Sequence, residues 1–147
     1  MKVMLDEGAK MPTRAHPWDA GLDLYAPVDV TVPSSIRMFP FDEIRLGSVT
    51  IDTGVHMEIP EGYVGFIKSK SGLNVNHGLT AEGVIDAHYT GSIRVKLYNH
   101  KQTPYQFKAG DKIAQLVILP CVMPHLELVD SLEETDRGDN GFGSTGR

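Results

Sequence analysis

The stretch from Val49 to Ile59 constrains the fold most. Its odd positions are Val49, Ile51, Thr53, Val55, Met57 and Ile59, and its even positions are Thr50, Asp52, Gly54, His56 and Glu58. Side chains alternate between the two faces of a strand, so this pattern predicts one strand with a buried face and a wet face. Ile93, Val95 and Leu97 alternate with Ser92, Arg94 and Lys96 in the same way, as do Val28, Val30 and Val32 with Asp29 and Thr31. Tyr63 to Ile67 and Ile113 to Leu119 are denser apolar runs, which predicts strands covered on both faces.

Turn chemistry separates these runs at Pro33-Ser34-Ser35, Pro60-Glu61-Gly62, Ser71-Gly72, His77-Gly78, Thr90-Gly91 and Ala109-Gly110-Asp111. No long amphipathic helix fits between them, and a short helix has one place to form, from Leu73 to Gly78 after Ser71-Gly72. With 15 Gly and 9 Pro in 147 residues, the reading is all-β: a barrel or jelly roll built as a single domain over residues 1–135. Residues 136–147 hold glycines and one large apolar side chain, Phe142, so they are expected to form a flexible tail that cannot offset its own ordering entropy.

Lys and Arg number 14 against 19 Asp and Glu, a net charge of −5. The acidic balance and the lack of a long basic run argue against a protein that coats nucleic acid or anionic membrane, because such proteins bind chiefly by neutralising phosphates. Cys121 is the single cysteine; no intrachain disulfide can form, a reducing cytoplasm fits, and the thiol is expected to be buried and inert at a strand end. The most apolar stretch, Ile113 to Met123, is too short to span a bilayer and contains Gln115 and Pro120.

Six histidines at 16, 56, 77, 88, 100 and 125 show no paired metal-binding spacing. Three segments carry candidate chemistry. Ser69-Lys70-Ser71-Gly72-Leu73 clusters hydroxyls, a cation and a glycine, a composition that can cradle phosphate or simply form a solvated turn. Asp86, between an apolar pair and a hairpin, is placed where partial burial makes a carboxylate a useful base, or is an ordinary turn acid. The tail joins Arg137, Phe142, Gly143, Ser144 and Thr145: a cation, an aromatic plate, a flexible glycine and two hydroxyls, the makings of a nucleotide lid. It is neither a Walker loop, lacking the Lys and a following helix, nor a Rossmann fingerprint. Gln115 is a lone polar residue in an apolar strand and needs a partner where it is buried.

Taken in order, Ala20-Gly21-Leu22-Asp23-Leu24, Ser69 to Leu73, Gly83-Val84-Ile85-Asp86-Ala87-His88-Tyr89-Thr90-Gly91, Gly110 to Val117 and Arg137 to Gly146 resemble the five motifs of the homotrimeric deoxyuridine triphosphate nucleotidohydrolases, the dUTPases. The resemblance covers about residues 20 to 146. It implies a jelly-roll homotrimer that splits dUTP into dUMP and pyrophosphate at sites shared between chains. It implies further that Asp86 deprotonates the attacking water and that Tyr89 stacks under the deoxyribose. The backbone around Val84 and Ile85 then reads the uracil edge. Lys70, Ser71, Gly72, Gln115, Gly143, Ser144 and Thr145 hold the triphosphate, Arg137 supplies charge and Phe142 covers the uracil. Asp23 acts through water on a magnesium ion (Mg2+) carried by the phosphates, and Arg94 matches a position that is often basic. Three positions depart from the family pattern: Lys70 replaces an Arg, His88 an Asp, and Thr80 a uracil-contacting Asn. The related dCTP deaminases carry a catalytic Glu in the strand after the hairpin, and Ser92 to Leu97 contains no acid. A trimeric regulatory module that binds dUTP without turning it over is the alternative of another class, opposed by the intact Asp86, Tyr89 and tail.

Overall fold

The structure, a computed structural model, describes residues 1–40 and 42–138. Its strands are β1 (Val3–Leu5), β2 (Gly21–Tyr25), β3 (Val30–Val32), β4 (Ile36–Met38), β5 (Glu43–Arg45), β6 (Gly47–Asp52), β7 (Val55–Met57), β8 (Tyr63–Lys68), β9 (Leu79–Ile85), β10 (Arg94–Asn99), β11 (Tyr105–Phe107) and β12 (Lys112–Pro120). Among the described residues a single helix, α1 (Ser71–His77), joins β8 to β9. The principal sheet has six strands in the order β2-β12-β8-β9-β10-β6, and the pairs β1-β7, β11-β3 and β4-β5 complete the layers. All pairings are antiparallel. The fold is the jelly-roll barrel expected of the sequence.

The alternating pattern correctly reports which side chains face inward. Ile51, Thr53, Val55, Met57 and Ile59 are buried, as are Ile93, Val95 and Leu97. The pattern does not report continuity, because the stretch expected as one strand breaks at Thr53-Gly54. Gly54 adopts a φ of +64°, a left-handed conformation that a side chain resists. The chain thereby leaves the principal sheet, where Ile51 pairs with Val95, and enters the smaller one, where His56 pairs with Met4. Phase survives the break, so both halves pack against the same core. Leu97 and Leu116 are each at most 1% exposed there, and truncating either to Ala would cost about 2–5 kcal/mol.

Other expectations need correction. Val28 is exposed and lies outside β3, which begins at Val30, so only Val32 of that trio is buried. The β4-β5 hairpin, fully exposed in its strands, gave no alternating signal because it has no buried face. Helix α1 starts at Ser71 and ends against Gly78, whose φ of +64° lets its N–H reach the carbonyls of Leu73 and Asn74. Cys121 is exposed, since β12 ends at Pro120. Residues 121–138 carry no strand or helix and are exposed throughout. No helix among the described residues is long and apolar enough to cross a membrane.

Candidate active site

Two groups of the expected residues come together, on different parts of the principal sheet. The first forms where β2, β12 and β8 lie side by side. Gln115 on β12 stands opposite Asp23 on β2 and Lys68 on β8. Its side-chain amide donates to the Ser69 carbonyl at 3.0 Å, which supplies the partner that a polar group in this strand needs. The Ser69 hydroxyl accepts from the Ala81 N–H at 2.9 Å and lies 3.1 Å from the Ala81 carbonyl, tying the loop to β9. Gly21 leaves room for Gln115, because a Cβ at that position would overlap Gln115 Oε1.

Asp23 is buried at 4% exposure, and its two oxygens pair with different lysines. Lys70 Nζ donates to Oδ1, and Lys112 Nζ donates to Oδ2 at 2.6 Å. Burial pushes the Asp23 carboxyl up, but the hydrogen bonds from Lys112 and Lys70 together outweigh it and hold the group below the usual carboxylate range. Lys70 therefore does not face solvent. It is the residue preceding α1, and its ammonium braces the start of the helix against β2. Ser71 and Gly72 open the helix, and both are exposed. A Cβ at Gly72 would meet nothing within the chain, so packing does not demand a glycine there, although one inside a helix costs about 1 kcal/mol.

The second group is the hairpin from β9 to β10. Val84 and Ile85 end β9, with Val84 exposed and Ile85 buried. Asp86 follows and is exposed in the chain, not partly buried as its neighbours suggested. The turn closes with the Tyr89 N–H on the Asp86 carbonyl at 3.3 Å. His88 at its apex has a φ of +65°, a conformation that Asp, Asn and Gly tolerate best. The Tyr89 hydroxyl donates to the Ser92 carbonyl at 3.0 Å, and the ring lies over Gly91, where a Cβ would stand 2.5 Å from the phenol oxygen. Arg94 turns to Asp52 across the β10-β6 pairing, at 3.3 Å. Ser92 also donates to Asp52, and these contacts, the Ser92 hydrogen bond first, lower that carboxyl below its usual range.

Thr80 lies between the two groups, its hydroxyl 2.8 Å from His100 Nε2, beside a cavity of about 410 Å³ that Ser69 also lines. Glu82, opposite Lys68, stands four residues before Asp86, which separates the groups by about 13 Å along β9. Arg137 is exposed; Phe142, Gly143, Ser144 and Thr145 lie outside the described residues. Sequence reasoning missed Lys112 as a partner of Asp23, since only the β12-β2 register brings them together. It also missed His56, considered below. Among the described residues, no three His, Cys, Asp or Glu side chains are grouped to hold a metal ion.

The dUTPase family profile matches residues 7–146. The deoxyuridine 5'-triphosphate nucleotidohydrolase of Arabidopsis thaliana is 43% identical, over 97% of this chain and 80% of its own. A mutant dUTPase of Staphylococcus bacteriophage 80alpha, solved with dUpNHpp, superposes with a TM-score of 0.85 at 30% identity, covering 99% of this chain and 98% of that one. A mutant dUTPase from phage phi11 of S. aureus, described as coordinating a structural Mg(II) ion, has a TM-score of 0.76 at 30% identity, covering 90% and 98%. The chain belongs to the dUTPase family.

Proposed function

We propose that this chain is a dUTP diphosphatase that hydrolyses dUTP to dUMP and pyrophosphate, limiting uracil incorporation into DNA and supplying dUMP for thymidylate synthesis. The observation that carries the reading is the pairing of an exposed Asp86 beside Tyr89 with a Ser71-Gly72 helix start that Lys70 braces against the same sheet, in a chain of this family. Asp86 takes a proton from a water whose oxygen bonds to the α-phosphorus in line. The bond from that phosphorus to the α–β bridging oxygen breaks, and pyrophosphate leaves with the electron pair. Tyr89 packs against the deoxyribose and leaves no space for a 2′-hydroxyl. The Val84 and Ile85 backbone reads uracil, with Thr80 further along the strand.

Ser71, Gly72 and Gln115 hold the phosphates, and Lys70 positions their loop from behind. Magnesium arrives with the triphosphate as part of the substrate. The Asp23 oxygens each bond one lysine and retain a lone pair for a water on that ion. As the family resemblance implies, one triphosphate is served by groups from different chains of a homotrimer, and a span of about 13 Å of strand between the hairpin and the Ser71-Gly72 helix start is compatible with that sharing. The exposed apolar side chains Val122, Met123, Leu126 and Leu128 fit burial against those neighbours. Residues 136–147 form the lid: Arg137 meets phosphate charge, Phe142 covers the uracil, and Gly143, Ser144 and Thr145 close on the phosphates. The lone cysteine fits a cytoplasmic location.

A pyrophosphate-release assay tests this. The expected result is magnesium-dependent hydrolysis of dUTP with strong preference over dTTP, dCTP and UTP, and an Asp86→Asn variant that still binds dUTP but has lost most turnover. Comparable rates on dCTP, or near-normal kcat in the variant, would overturn it.

A further inference from the structure

His56 belongs to none of the five motifs, yet its ring touches the hairpin that carries Asp86 and Tyr89. Nδ1 lies 2.8 Å from the carbonyl oxygen of Thr90, and Nε2 lies 3.2 Å from Asp6 Oδ2. A carbonyl and a carboxylate can only accept. Both ring nitrogens must therefore carry hydrogen for both contacts to be hydrogen bonds, which requires the imidazolium. Asp6 is fixed in turn, its N–H on the Gly54 carbonyl at 2.9 Å.

We propose that His56 is a positioning residue: its imidazolium, anchored by Asp6, holds the hairpin through Thr90 in the conformation that presents Asp86 and Tyr89 to the substrate. The hairpin's returning limb is already pinned below this point, by Ile93 N–H on the Val55 carbonyl at 2.8 Å and Thr53 Oγ1 on the Ile93 carbonyl at 2.7 Å. Ser92 is held by Asp52. Among the described residues, His56 makes the side-chain contact to the segment between Tyr89 and Gly91, at the point where the chain leaves Tyr89. The charged groups facing the ring are Asp6, after β1, and Asp52, at the end of β6, which also engages Arg94. Glu58, just past β7, faces Lys2, the amino terminus and His88. The Thr90 hydrogen bond first, and then Asp6, raises His56 above the ordinary histidine range, so the imidazolium persists to higher pH and is lost as pH rises through that raised value.

This inference rests on the dUTPase reading for its kinetic consequence but not for its structural one. The test compares wild type with His56→Asn, whose side-chain amide can donate to Thr90 without titrating, and His56→Leu, which cannot donate. For wild type, kcat/KM for dUTP is expected to fall by about fivefold as His56 deprotonates, the size of one lost hydrogen bond. His56→Asn should lack that limb and retain most of the low-pH activity, while His56→Leu should be low at all pH. Limbs that arise from the nucleotide itself appear in all three proteins and cancel. Superimposable profiles for the three would overturn the proposal, as would a His56→Asn no better than His56→Leu. Amide hydrogen exchange at residues 86–92 gives an activity-independent readout: wild-type protection should decline with the His56 titration, and that of His56→Asn should not. If dUTP is not hydrolysed yet protection follows His56, the functional reading fails and the positioning role stands. If dUTP is hydrolysed and protection ignores His56, the positioning role fails alone.

Discussion

Lys70 reaches across the sheet to the buried carboxylate of Asp23, 47 positions earlier in the chain, and shares it with Lys112. Lys70→Ala removes one of two partners, so the expected loss is about 1.5–3 kcal/mol of stability. Because Asp23 titrates below its usual value when folded, its contribution is complete above the unfolded carboxylate pKa of about 3.9 and is lost as pH falls through the lower folded value. Urea midpoints for wild type should therefore drop on the acid side of about pH 4, and Lys70→Ala should show a lower midpoint with a shallower acid limb. An unchanged midpoint in the variant would show that the pair contributes nothing.

Gly21→Ala places a methyl group on Gln115 Oε1. The far end of a flexible side chain can move aside, so a modest loss of about 1 kcal/mol is expected. The amide then leaves the Ser69 carbonyl. If Gln115 holds phosphate, KM for dUTP rises several-fold while the melting temperature shifts little, and steady-state kinetics beside calorimetry separates the two effects.

His88 sits at a φ of +65°. Asn accepts that conformation and a β-branched side chain does not. Thermal melts should rank His88→Asn at or above wild type and His88→Val below it by about 1–2 kcal/mol. Equal melting of the two variants would contradict this backbone account.

Deleting residues 137–147 is expected to leave the melting temperature nearly unchanged, because the chain from 121 to 138 is exposed and outside the core. If the deleted residues supply the lid as proposed, activity on dUTP should collapse. A large drop in melting temperature would make the tail structural.

What the sequence made legible was facing, not path. Alternation from Val49 to Ile59 named the buried side chains, but Gly54 turned one strand into two, and nothing in a period-two pattern encodes the change of sheet. Gln115 was recognisable as a polar residue in need of a partner, yet its partner, the Ser69 carbonyl, is 46 positions away. Lys70 reads in the sequence as a phosphate-binding cation or part of a solvated turn, because a contact with Asp23 depends on which strands flank β12. Cys121 reads as a buried thiol at a strand end; β12 does end at Pro120, but nothing among the described residues packs over the residue that follows it. His56 was invisible for a similar reason: its bonds to Asp6 and Thr90 arise from the crossover at Gly54.

From Cys121 to Gly138 the chain runs exposed, with Val122, Met123, Leu126, Leu128, Val129 and Leu132 in water. A protease that cleaves at large apolar residues finds its preferred sites there, on a backbone free of strands and helices. Assembly would shield them. Dilution should therefore convert a resistant protein into one cut first between 121 and 138, while the barrel ending at Pro120 survives, and the rate of that cut reports how often a subunit stands alone.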